Sequence, residues 1–99
     1  RHLKEVKFNF LTPLLDPDVE YTWKEIHDKH VEFCFQLMRF PGIISAFIGR
    51  DDVTIEFNPK VIGKQGVEEA LAKVIFWSKS FGYFPRIGAI LPPTGEQNS

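Results

Sequence analysis

Ninety-nine residues make one domain's worth of chain, long enough to bury a single core without disulfides or a structural metal. A hydrophobic share of 43% with ten phenylalanines excludes a disordered chain, which would be poor in aromatics. The formal charge of −1, from 12 basic and 13 acidic side chains, lacks the basic excess of a domain that neutralises nucleic-acid phosphates.

From the N-terminus, residues 4–11 alternate, with Val6, Phe8 and Phe10 on one side and Lys7 and Asn9 on the other. That period of two predicts a half-buried strand. Thr12 and Pro13 end it, since proline cannot donate to a ladder, and Asp16, Pro17 and Asp18 continue as loop. From Tyr21 the period lengthens. Trp23, Ile26, His30, Phe33, Leu37 and Phe40 recur at three and four, the spacing of one helical face. Thr22 with Glu25 three positions on has the pattern of a capping box, with Asp16 or Asp18 as the alternative cap. Pro41 and Gly42 stop the helix.

The run Ile43–Ile48 is almost continuously apolar, which suits a strand covered on both sides or paired at an interface. Gly49, Arg50, Asp51 and Asp52 supply turn chemistry. Val53, Ile55 and Phe57 then alternate with Thr54 and Glu56, predicting a half-buried strand that ends at Asn58 and Pro59. Residues 63–66 are expected as loop. A second helix is expected over 67–79, its apolar stripe being Val67, Ala70, Leu71, Val74, Ile75 and either Trp77 or Ser78. Phe81, Gly82 and Tyr83 break it. Residues 84–91 are expected as a fourth strand, interrupted by Pro85 and Gly88, and residues 92–99 as a disordered tail.

The order βαββαβ, with right-handed crossovers in both halves, predicts one α+β domain over residues 1–91. Its architecture is a ferredoxin-like sandwich with a four-stranded antiparallel sheet and both helices on one face. RNA-recognition domains share that order, but their third strand carries a basic-glycine-aromatic signature. Here that strand bears Asp51, Asp52 and Glu56, with Phe57 as its aromatic, and these carboxylates would repel a phosphate backbone. No nucleic-acid partner is expected. No stretch approaches the ~18 apolar residues of a membrane span, so no membrane partner is expected either. The lone Cys34 forbids an internal disulfide and favours a reducing compartment. Because the first residue is Arg1, the chain is expected to be a processed or excised piece of a longer protein.

Three groups of residues are candidates for chemistry. His27, His30 and Cys34 lie three, four and seven apart on the first helix, an imidazole and thiolate set that suits zinc or copper. Against this, His30 falls in the apolar stripe and Cys34 lies between Phe33 and Phe35, so both also suit a buried structural role. Asp16, Asp18 and Glu20 lack the central glycine and terminal glutamate of an EF-hand loop, and capping or solvation explains them. No catalytic or cofactor-binding motif is present: there is no G-x-S-x-G, phosphate-cradling glycine loop, C-x-x-C or H-E-x-x-H. The remaining signal is an aromatic surplus. Phe35, Phe40, Phe47, Trp77, Phe81, Tyr83 and Phe84 exceed what such a sandwich buries. Of these, Phe47, Trp77, Phe81, Tyr83 and Phe84 are the expected interface.

The segment R-F-P-G-I-I-S-A-F-I-G-R-D-D-V-T-I, beginning at Arg39, resembles the helix–PG–strand–FG–D–strand segment of the Nfu-type iron–sulfur scaffold N-terminal domain. Val6, Lys7 and Phe8 sit where that family has its early strand. Heavy-metal-associated domains also place a P-G turn before their second strand. Both families carry a C-x-x-C, in a separate domain or in the first strand–helix loop. Here that loop is Leu14, Leu15, Asp16, Pro17 and Asp18. The resemblance implies a ferredoxin-like fold and a helper role in metal or cluster handling. The expected function is a non-catalytic protein-interaction or assembly module with a protein partner or a homo-oligomeric state and no resident cofactor. The alternatives are a metal-binding protein using His27, His30 and Cys34, and a small enzyme subunit whose site is completed at an oligomer interface.

Overall fold

In the computed structural model, which describes residues 3–10, 15 and 18–80, five elements follow in order. They are β1 (Lys4–Asn9), α1 (Trp23–Met38), β2 (Ile43–Ile48), β3 (Asp52–Phe57) and α2 (Lys64–Ser80). The sheet has three strands in the order β1-β3-β2, antiparallel throughout. This corrects the expected four-stranded ferredoxin-like sandwich: among the described residues the fold is α+β, with two helices and a three-stranded sheet. β1 and β3 alternate without a break and β2 is apolar but for Ser45, whereas the segment expected as a fourth strand contains Pro85 and Gly88. That segment, residues 84–91, lies outside the described residues, as do the tail expected at 92–99 and the domain end at 91.

The core follows from strand parity. Val6, Phe8 and Phe10 of β1 and its extension are buried, as are Val53, Ile55 and Phe57 of β3. The register sets Val6 beside Ile55 and Phe8 beside Val53, so their side chains share one sheet face. Against that face pack Phe33 and Leu37 from α1 and Val67, Ala70, Leu71, Val74 and Ile75 from α2. The stripe expected on α2 is therefore the buried one. The stripe expected on α1 is buried only at its C-terminal half: Phe33 and Leu37 are sealed, while Trp23 is 88% exposed. Trp23 is the first helical residue after the cap and stands at the far end from Phe33 and Leu37.

Local chemistry explains the ends of these elements. Thr22 Oγ1 accepts from the Glu25 N–H (3.1 Å) and Glu25 Oε1 accepts from the Thr22 N–H (2.9 Å), a complete capping box. Gly42 turns the chain into β2 with φ +98, a conformation that glycine tolerates and residues with a Cβ rarely adopt. A Cβ there would also strike the Ile62 side chain at 2.5 Å. The Gly42 carbonyl accepts from the Asn58 N–H at 2.8 Å, which ties the α1–β2 turn to the β3–α2 turn. Asn58 then organises its own turn. Its Oδ1 accepts from the Lys60 N–H (2.9 Å) and its carbonyl from the Val61 and Ile62 N–H groups (2.9 and 3.1 Å). Helix α2 starts at Lys64, earlier than expected: the Val67 N–H donates to the Gly63 carbonyl (3.0 Å), and Gly66 sits inside the helix with Ile62 filling the space a Cβ would take.

Ile55 is fully buried on the central strand, so Ile55→Ala is expected to lower unfolding free energy by about 2–5 kcal/mol through lost burial and a residual cavity. Thr22→Ala should cost about 1 kcal/mol by removing the cap. Urea denaturation of the two variants checks both values and their order.

Candidate interaction surface

Among the described residues, no helix packs against the opposite sheet face. Parity places Glu5, Lys7 and Asn9 of β1, Thr54 and Glu56 of β3, and Ser45 and Phe47 of β2 there. Ser45 Oγ donates to Glu56 Oε1 (3.0 Å), and Lys7 Nζ lies 3.5 Å from Asp52 Oδ2. Glu5 stands directly opposite Glu56, a like-charge cross-strand pair. On the edge strand β2 at the side of this polar field, Phe47 is 63% exposed, registered against Thr54. Of the side chains named on this face, Phe47 is the one aromatic ring. Its outward direction follows from its odd position beside Ile48, as expected.

A register shift between Ile43 and Ser45 adds a residue to β2 and leaves Ile44 exposed while Ile43 is buried. The continuous apolar run Ile43–Ile48 therefore divides between the core, the bulge and the open face, and β2 is not a strand covered on both sides. The helices carry further exposed rings: Trp23 and Phe35 on α1, Phe76 and Trp77 on α2. Trp77 is partly covered, stacked on Phe40 with ring centroids 5.9 Å apart and planes at 14°. Of the residues expected at an interface, Phe47 and Trp77 are on the surface; Phe81, Tyr83 and Phe84 lie outside the described residues. Sequence reasoning assigned Trp23 to the core and missed Ile44. The adjacent cap was the signal for Trp23, and no signal in the apolar run marks the bulge.

His27, His30 and Cys34 do share one side of α1, yet among the described residues no group of three or more His, Cys, Asp and Glu side chains is placed to hold a metal ion. The Cys34 thiol turns to the sheet and donates to the Ala46 carbonyl at 3.3 Å. Burial pushes its pKa up, the opposite of what a thiolate ligand requires. His30 is half-buried and its pKa is lowered, first by burial and then by the neighbouring His27. Both groups are thus biased to their neutral forms. No helix among the described residues is long and apolar enough to cross a membrane.

Compared with protein-family models, with curated proteins and with solved structures, the chain matches none.

The lowered pKa of His30 makes stability depend on pH. The unfolded chain binds the proton at the ordinary value of 6.5, the folded chain only at a lower pH. Stability is therefore complete above 6.5 and falls as pH drops from there toward the folded value. His30→Gln should flatten that part of the stability–pH curve. Urea midpoints of both proteins across this range are the check, and parallel curves would contradict the assignment.

Proposed function

We propose that the domain is a non-catalytic protein-interaction or assembly module. The observation that carries this reading is Phe47, a large ring at 63% exposure on the sheet face that no helix covers among the described residues. Single exposed rings are common on monomers, but aromatic side chains are enriched at interfaces. Phe47 is accompanied by the exposed Ile44 on the same strand. A ring flanked by Thr54 and Ser45 suits a contact whose apolar part is edged by polar groups.

The absence of a recognisable catalytic motif is in keeping with this reading, as is the resemblance of residues 39–55 to scaffold-associated modules. The same resemblance places the module's proposed role beside metal or iron–sulfur cluster handling, as a helper with no ligand set of its own. The Cys34 thiol, turned to the Ala46 carbonyl and held in its protonated form by burial, weighs against the metal-binding alternative.

Phe47→Ser is the direct test, because the ring is outside the core and its loss should leave the thermal midpoint within a few degrees. Affinity capture and light scattering are run with wild type and variant side by side. A partner or self-association retained by wild type and lost in Phe47→Ser is the expected result. Identical behaviour of the two proteins, or wild type remaining a monomer that retains nothing, would overturn the proposal.

A further inference from the structure

The two edges of the sheet are treated differently. In β2–β3, the Gly49 N–H donates to the Asp52 carbonyl (2.9 Å), so the backbone groups of Ala46 point away from β3. That outer edge is met by α1, whose Cys34 thiol donates to the Ala46 carbonyl. In β1–β3, the Phe10 N–H donates to the Asp51 carbonyl (2.8 Å). Residues of β1 with Phe10's parity therefore turn their backbone groups toward β3, and Glu5, Lys7 and Asn9 turn theirs outward. Among the described residues no strand lies along that side of β1.

We propose that this edge pairs antiparallel with β1 of a second copy of the chain, in the register that sets Glu5 opposite the partner's Lys7. Only outward-turned residues can form the hydrogen-bonded pairs of such a ladder, so Leu3, Glu5, Lys7 and Asn9 must face one another. Three registers keep most of the strand paired. One sets Glu5 against the partner's Glu5, and another sets Lys7 against the partner's Lys7, each placing like charges on the two-fold axis. The third sets Glu5 against the partner's Lys7 and, by symmetry, Lys7 against the partner's Glu5. Opposite charges meet in both halves of the interface.

The same register places Leu3, which is exposed, opposite the partner's Asn9, and Val6 opposite the partner's Val6. The helix faces of both copies then lie on one side of a continuous sheet. It also supplies what the open face lacks. Glu5 stands across from Glu56 within the chain, and a lysine arriving on its other side relieves that repulsion. Edge lysines ordinarily discourage strand pairing. Here Lys7 does so in the other two registers and promotes pairing in this one, so the charges select the register. Little new apolar side chain is covered, since Val6 and Phe8 are already buried. The dimer therefore falls in the small, reversible class of interface. This inference stands on the β1 edge and not on Phe47, so the two readings fail separately.

Sedimentation velocity of the 99-residue chain over a range of concentrations tests it. The expected result is a reversible dimer that weakens as salt is raised. Glu5→Lys and Lys7→Glu should each weaken it roughly tenfold or more by creating like-charge pairs twice per interface. The double exchange of both residues should restore it. Amide exchange by NMR on wild type should show the Glu5, Lys7 and Asn9 N–H groups becoming protected as concentration rises, which holds even if a variant folds poorly. A strict monomer, a dimer indifferent to both single charge reversals, or a double exchange that fails to restore pairing would each overturn the proposal. So would a monomer whose Glu5 and Lys7 amides are already protected, since another segment of the chain would then hold the edge.

Discussion

The structure depends on β3 being the central strand. Its hydrogen-bonding groups are divided by parity, the odd residues toward β1 and the even residues toward β2. Its odd side chains, Val53, Ile55 and Phe57, are all buried. A strand bonded on both edges and sealed on one face can accept no shift of register, because a slip by one residue would put Thr54 and Glu56 into the core. β1, β2 and both helices take their positions from it.

That constraint also decides what is left for function. With the odd residues of β3 facing the helices, the even ones face outward, and with them come Ser45 and Phe47 of β2 and Glu5 and Lys7 of β1. The exposed ring, the opposed Glu5 and Glu56, and the outward backbone of β1 are three consequences of one parity. A ring there contributes nothing to the core, and the like-charge pair is a small cost to the fold.

Much of this was legible in the residues because the signals were local. The alternation of Val6, Phe8 and Phe10, that of Val53, Ile55 and Phe57, the capping box at Thr22 and the stop at Pro41 and Gly42 each act over a few residues. The outward parity of Phe47 followed from the same rule. Where tertiary contacts decide, sequence reasoning failed. The bulge at Ile43/Ser45 is hidden in an apolar run that carries no periodicity. Helix α2 takes in Gly66, where Ile62 fills the space a side chain would need, and its first turn is closed by the Val67 N–H on the Gly63 carbonyl. For His27, His30 and Cys34 the spacing leaves a metal set and a buried role both open, and the turn of the Cys34 thiol toward Ala46 depends on how α1 sits over β2, which spacing does not encode.

Amide hydrogen exchange along β3 tests the central position most directly. In a central strand consecutive N–H groups are all bonded, alternately to one neighbour and the other, so those from Val53 to Phe57 should all exchange only through global unfolding. Rapid exchange at every second one of these amides would make β3 an edge strand and would contradict the account.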